Sequence, residues 1–358
     1  MDLKIAINNV RRVVMHGLTK YVGFSDTMIK AEEGIDLKRI LLCRPNSRLG
    51  NQLLITPLVQ EIIALFPDCK VDLFARGFLS EIIFENYEQI DKKIKLPKKP
   101  FGEMIKYIKV WFSLRRRRYD LVINVTEGSS SGRLSTRFSR ARWRFFNHTD
   151  ALLQARYPDY RHMAKFPVYN FRHYLSLSGL KISERPVPLL SIKLSEAELD
   201  KGKMVLNSHV DHTKETICIY TFATGTKCYS EEWWAVMYIR LMETYGKTYN
   251  ILEVLPIENV SKIHFEACSY YSKNIREIAS VIANSVLFLG ADSGIMHLAA
   301  SSGTPTVGLF SITDPSVYRP YGNHSLAINT NTTNTDGIIA ALNEILNYNS
   351  YLAPRNLN

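Results

Sequence analysis

Near the start of the chain the apolar residues Ile5, Ala6, Val10, Val13, Val14, Leu18 and Val22 recur at close to the helical period, with Lys4, Arg11, Arg12 and Lys20 between them. This predicts a basic amphipathic helix. The pattern suits a helix lying on an anionic membrane face and equally one packed on the rest of the protein. Further on the period changes. Short apolar runs at 39–43, 71–74 and 121–125 read as buried strands, while 52–65, ending before Pro67, and 104–114 read as helices. The stretch 92–99, which contains Pro97, reads as a solvated loop, and the arginine run 115–118 as an exposed helix end.

Pro186 and Pro188 interrupt the pattern, after which a second alternation begins. Ser195 can cap a helix running to about residue 206, with Glu198 at the capping-box spacing. Strands follow at 216–220, 251–255, 286–289 and 306–310, helices at 231–243 and 275–283, and a closing helix at 336–346. Strand and helix alternating on both sides of the break predict an α/β fold of two Rossmann-like domains with parallel sheets. The expected division is an appendage over 1–36, a first domain over 37–185 and a second over 186–358. A ligand is expected in the cleft, at the carboxyl ends of the strands.

A length of 358 residues accommodates two such domains, and 46% hydrophobic with 22% charged residues is ordinary for a soluble globular protein. The longest candidate for a membrane span, 281–300, is broken by Asp292 and His297. The N-terminus lacks the apolar core of a secretory signal, so a cytoplasmic location is expected. Cys43, Cys69, Cys218, Cys228 and Cys268 form an odd set without a CxxC pair, which predicts buried free thiols rather than a zinc site or a disulfide framework. Charge is unevenly spread: residues 1–185 carry 33 Lys and Arg against 18 Asp and Glu, and the remainder 12 against 16. A basic half suits a nucleic acid, an anionic membrane or an acidic substrate, or serves solubility alone. The chain has no recognisable nucleic-acid module and no aromatic stacking platform among its basic residues, so no nucleic-acid partner is expected.

The segment from Phe288 to Gly322, FLGADSGIMHLAASSGTPTVGLFSITDPSVYRPYG, concentrates the chemistry. A strand ends at Gly290, Asp292 and Ser293 follow, and Gly294 opens a helix whose first amides and positive dipole end suit a diphosphate. Asp292 is expected to accept hydrogen bonds from amides or sugar hydroxyls. His297, one turn on, is either a satisfied core histidine or a group facing the cleft. A following strand delivers Thr313 to the same rim.

This segment resembles the donor-binding signature of glycosyltransferase family 9, the ADP-heptose:lipopolysaccharide heptosyltransferases, with nearly every fixed element present between Gly290 and Pro315 and Ser311 where the family loop has Gly. CRPNSRLGNQLLITPLVQEIIALFPDCKVDLFARG, beginning at Cys43, is similar to the family's opening segment, but Asn51 stands where the family carries the Asp proposed as general base. An amide cannot take a proton from a hydroxyl. Glu127, after the strand at 121–125, is the alternative base, or else an exposed loop acid. A third match, YTFATGTKCYSEEWW, puts Lys227 on the donor diphosphate with Thr224 and Thr226 as hydroxyl donors, and Glu258 falls at the acidic position that reads donor hydroxyls. The resemblance also implies an acceptor side formed by Arg44, Arg48, Gly50 and Asn51.

It further implies the GT-B architecture and inverting, metal-independent transfer without a cofactor. The co-substrate is a nucleoside-diphosphate sugar, ADP-heptose in the family. The acceptor is a lipopolysaccharide core or related anionic glycolipid at the cytoplasmic face of the inner membrane, which makes the protein a peripheral membrane enzyme. No DxD cluster stands ready for a divalent ion, so Lys227 and the helix amides must carry the diphosphate charge. Asn51 leaves a second reading, a sugar-nucleotide binder that has lost catalysis. A nucleotide-sugar 2-epimerase shares the architecture, but its signature differs.

Overall fold

The computed structural model describes residues 27, 29, 35–97, 103–180 and 184–352. The predicted amphipathic helix at 5–22 lies outside them. The described chain forms two compact units, one made of its residues up to Arg48 together with Pro57–Pro188, the other of Leu49–Thr56 together with its residues from Leu189 onward.

In the first unit β1 (Arg39–Arg44) is followed by α1 (Leu49–Leu53), which packs in the second unit, and by α2 (Thr56–Leu65). Then come β2 (Lys70–Arg76), α3 (Leu79–Ile83), β3 (Ile90–Leu96), α4 (Met104–Ser113), β4 (Tyr119–Asn124), α5 (Ser130–Phe138), β5 (Ala141–Phe145), α6 (Ala151–Arg156) and α7 (Phe166–Leu177). The sheet runs β3-β2-β1-β4-β5, every pair parallel. β1 and β4 read as near-continuous apolar runs because helices cover both faces of a parallel sheet. On one face Leu41, Phe74, Ile94, Leu96 and Val122 meet Trp111 of α4 and Phe138 of α5.

Two sequence expectations change here. The predicted loop at 92–99 is the edge strand β3 as far as Leu96: Ile90, Ile94 and Leu96 turn inward while the lysines between them stay at least partly in water. Charge on an edge strand blocks further pairing, so a lysine-rich run is compatible with a strand. The single helix expected over 52–65 is two helices, because Pro57 follows Thr56 and the hydroxyl of Thr56 donates to the Leu53 carbonyl at 2.8 Å, closing the break between them.

The arginine run is only partly an exposed end. Arg116 and Arg118 are exposed, whereas Arg117 reaches both the fully buried Asp72 at 3.3 Å and Asp91 at 2.5 Å, where Arg39 joins at 3.4 and 2.6 Å. Burial raises the Asp72 carboxyl above its ordinary range, against the pull of the Tyr119 hydroxyl and both guanidinium groups. The group closes the amino end of the sheet, since Arg39 and Tyr119 begin β1 and β4 and Asp91 is the second residue of β3.

The second unit contains α8 (Glu196–His209), β6 (Glu215–Tyr220), α9 (Glu231–Tyr245), β7 (Tyr249–Val254), β8 (Cys268–Tyr270), α10 (Ile275–Ala283), β9 (Leu287–Ala291), α11 (Gly294–Ser301), β10 (Thr306–Phe310), α12 (Pro315–Tyr318), β11 (Leu326–Asn329) and α13 (Thr335–Leu352). Its sheet is again all parallel, in the order β11-β10-β9-β6-β7-β8. Trp234, Met237 and Leu241 of α9 and Ile338, Leu342 and Ile345 of α13 cover one face. Of the five thiols, Cys43, Cys69 and Cys218 are buried as expected. Cys228 is half-buried and Cys268 is exposed. Burial pushes the Cys43 thiol up to about 11, which keeps it protonated and inert.

The capping box at Ser195 and Glu198 forms as the spacing predicts. Glu198 also receives two hydrogen bonds from Arg276 of α10, at 2.5 and 2.8 Å, and Gly202 lets α8 approach the Ser280 carbonyl of α10. Arg276 holds the Glu198 carboxyl at about 2, from an ordinary 4.5. A depressed carboxylate stabilises the fold above its unfolded pKa, and the contribution is lost as pH falls towards the folded value. Glu198→Gln is therefore expected to cost about 2 kcal/mol at pH 7 in urea unfolding, and the gap from the wild type should close between pH 4.5 and 2. A gap undiminished at pH 2 would exclude the ionised carboxylate as its source.

Candidate functional site

In the second unit the chain direction across the sheet reverses between β6 and β9, so the connections leaving these neighbouring strands depart to opposite sides and leave a crevice at their carboxyl ends. Asp292 and Ser293 stand at the end of β9, and Ser293 caps α11 by accepting from the Met296 amide at 3.3 Å. The end of β6 leads through Ala223 and Gly225, the latter at φ +67 where a side chain would be strained, to Lys227. β10, on the other side of β9, leads to Thr313.

These three connections meet at one carboxylate. Asp292, only 5% exposed, accepts at a single oxygen from Lys227 Nζ at 2.5 Å and from the Thr313 hydroxyl at 2.6 Å. Amides or sugar hydroxyls were expected on Asp292; within the protein its side chain meets the lysine and the threonine and orients both. Lys227 remains a third exposed, and its ammonium lies 5.9 Å from the Tyr318 ring centroid. A cation and a hydroxyl are thus fixed beside the first turn of α11, whose amides and dipole favour an anion.

Thr224 and Thr226 are exposed on the Lys227 loop. Glu258 is exposed in a turn where the Asn259 amide donates to the Pro256 carbonyl at 2.8 Å. Its charge, after burial, helps raise the Tyr220 hydroxyl at the end of β6. One supporting pair escaped the sequence reading. Fully buried Glu253, at the end of β7, accepts from Thr221 at 2.5 Å, and Thr221 in turn accepts from the Lys262 amide at 3.1 Å. A polar residue inside an apolar strand run signals such a brace, but nothing local names its partner. Tyr318 lies inside the recognised segment, yet its place against Lys227 depends on the turn at Asp314 that caps α12.

His297 resolves towards the core. It is 4% exposed, and a Cβ on Gly50 would stand 2.6 Å from its ring and 3.5 Å from the Gly294 Cα. Gly294 faces Leu49 and the Gly50 amide just as closely. Two glycines therefore let α1 lie against the start of α11, with Asn51 next along α1. Gly50 and Asn51 accordingly sit in the second unit, while Arg44, buried at the end of β1, and exposed Arg48 belong to the first.

In the first unit Glu127 follows β4, whose neighbour β1 marks that sheet's own reversal of direction. One oxygen of its carboxylate accepts from the Thr149 amide at 3.2 Å and hydroxyl at 2.6 Å, and the other lies 3.8 Å from His148 Nδ1. Glu127 is thus not a loose loop acid but is aimed by the segment after β5. His148 and Thr149 also line a cavity of about 150 Å³ with Asp150, Asn170 and His173. Asn170 braces this segment through Asn147 Oδ1 at 2.7 Å and the His148 carbonyl at 2.8 Å.

The profile of glycosyltransferase family 9 (heptosyltransferase) matches residues 272–337, from the approach to α10 to the start of α13. Lipopolysaccharide heptosyltransferase 3 of Escherichia coli is 23% identical over 305 residues, covering 77% of this chain and 85% of that protein. The lipopolysaccharide core heptosyltransferase OpsX of Haemophilus influenzae is 35% identical over 72 residues, 19% of this chain and 21% of that one. The glycosyl transferase family 9 structure from Veillonella parvula superposes with a TM-score of 0.70 at 17% identity, covering 87% of this chain and 98% of that one. E. coli heptosyltransferase WaaC with ADP gives 0.63 at 16%, covering 86% and 99%. At those identities the structures establish a common fold of two parallel-sheet α/β domains, the GT-B class.

The approach of α1 to α11 leaves no room for a methyl group on Gly50. Gly50→Ala is expected to cost about 1–3 kcal/mol in thermal or urea unfolding. His297→Ala in the same chain removes the ring it meets, so the double variant should lose less than the two single losses combined. Strict additivity would place the strain elsewhere.

Proposed function

We propose that the chain is a member of glycosyltransferase family 9 and that it is an inverting, metal-independent heptosyltransferase that moves the sugar of ADP-heptose to a lipopolysaccharide core acceptor. The observation that carries the reading is the Lys227–Asp292–Thr313 cluster beside the start of α11. The similar proteins of E. coli and H. influenzae are lipopolysaccharide heptosyltransferases, and WaaC was crystallised with ADP and with a fluorinated ADP-heptose.

The diphosphate accepts hydrogen bonds from the first-turn amides of α11 and from Thr313, with Lys227 swinging part of its charge from Asp292 to the β-phosphate. As the acceptor oxygen bonds to the anomeric carbon from the opposite face, the bond to the β-phosphate oxygen breaks and its electron pair stays with the departing nucleotide. Lys227 then faces the charge that develops there. Among the described residues no three His, Cys, Asp or Glu side chains group as a metal site.

The acceptor proton needs a base. Asn51, next to the contact of α1 with α11, can orient a hydroxyl but cannot take its proton. Glu127, aimed by Thr149, is the carboxylate assigned that role. Asn51 also favours a second reading, a protein that binds the nucleotide sugar without transferring it.

Two measurements test these assignments. In excess EDTA the wild type should turn over undiminished, and Lys227→Ala should lower kcat/KM by about 10²–10³. A strict need for added magnesium or manganese would overturn the metal-independent scheme. Glu127→Gln should lower kcat by about 10²–10⁴ with donor KM little changed, and Asn51→Asp in that background should restore part of the loss. If neither the wild type nor Asn51→Asp transfers sugar while both bind ADP, the binding reading stands instead.

A further inference from the structure

In α4 one face is anchored and another is left in water. Trp111 packs edge-on against Phe74 at 5.6 Å and Phe138 at 6.1 Å, with Tyr107 and Val110 half-buried beside it. On the adjoining arc Ile105 is 72% exposed, Phe112 60%, Met104 54% and Ile108 47%. No residue of this helix is fully buried. Because Trp111 fixes the helix on the sheet, the exposed stripe is a presented surface and not a helix awaiting its core. Beyond the stripe, Lys109 lies on the outer side of the same helix, and exposed Arg116 and Arg118 follow its end.

We propose that this face of α4 is a docking surface for an anionic lipid bilayer, entered by Ile105, Ile108 and Phe112 and held by Lys109, Arg116 and Arg118. Aliphatic side chains beside cations match the two layers of a membrane interface, acyl boundary and acidic headgroups. A nucleic acid offers phosphates but nothing for exposed isoleucines, which decides between the two anionic partners. The inference rests on the proposed glycolipid acceptor only for why the protein visits a membrane. α4 runs antiparallel to the strands of the first sheet, so Met104 lies towards its carboxyl edge and Arg116 and Arg118 towards its amino edge.

Flotation of the full-length protein with vesicles of phosphatidylethanolamine and phosphatidylglycerol, against phosphatidylcholine alone, tests the surface without donor or acceptor. The wild type should float with the anionic vesicles at low salt and be released by high salt. Ile105→Glu with Ile108→Glu should cut the bound fraction at least tenfold. Lys109→Gln with Arg116→Gln and Arg118→Gln should do so at low salt, each basic side chain being worth about fivefold in partition. These positions are exposed, so melting temperature and the stabilisation by ADP should stay as in the wild type. Absence of wild-type flotation, or flotation unchanged in both variants, overturns the proposal. So does a change from dimer to monomer in sedimentation with flotation intact, which would make the face a self-association surface. Loss of the ADP stabilisation in the wild type would instead count against the transferase reading and leave the lipid result standing.

Discussion

A single carboxylate organises the second unit's chemistry. Asp292 sits at the end of β9, between the strands whose connections carry Lys227 and Thr313, and it binds both. Without it, an ammonium on a flexible stem and a hydroxyl on a surface loop would each lose conformational freedom on meeting a ligand. With it, that ordering is complete before the ligand arrives. The same carboxylate keeps the local charge near balance, so the resting protein does not hold an uncompensated cation beside a helix dipole that already disfavours one.

Backbone proximity is the second constraint, and it explains residues that carry no chemistry. Gly50 and Gly294 are required by the distance between α1 and α11, and His297 fills the space beneath Gly50. A histidine in a donor-binding motif invites a catalytic role. Here its ring is buried against Gly50, and that contact sets where residue 51 lies relative to the helix start. The segment Leu49–Thr56 thereby belongs to the unit that contains Asp292 and α11, although it directly follows β1 of the other.

Local signals in the sequence were enough wherever the deciding interaction is itself local. The helix over 275–283 and the strand over 306–310 are found where the pattern puts them, and the Ser195–Glu198 box forms at its spacing. The motif residues Lys227, Asp292 and Thr313 do converge, because a strand-order reversal forces loops from β6, β9 and β10 together. What could not be read depends on distant partners. β3 passed for a loop because its inward residues pair only with β2, while its lysines dominate the composition. The role of Asp292 needed the position of Lys227, 65 residues away, and the orientation of Glu127 needed Thr149, 22 residues away.

Charge shows the same limit. The excess of Lys and Arg in the first half suggests a polyanionic partner, but part of it is consumed inside the unit. Arg172 forms a two-pronged pair with fully buried Glu61, at 2.9 Å on each oxygen, and Arg185 adds a third contact at 3.2 Å. Arg39 and Arg117 neutralise Asp72 and Asp91, and Arg144 donates to the Thr136 and Ser139 carbonyls around the end of α5. These guanidinium groups offset the desolvation of buried acids and helix ends, and replacing them would unfold rather than discharge a surface. Net charge therefore overstates what a partner meets. The cations left for recognition are those whose side chains project without an acid beside them, and a count of residues cannot separate the two sets.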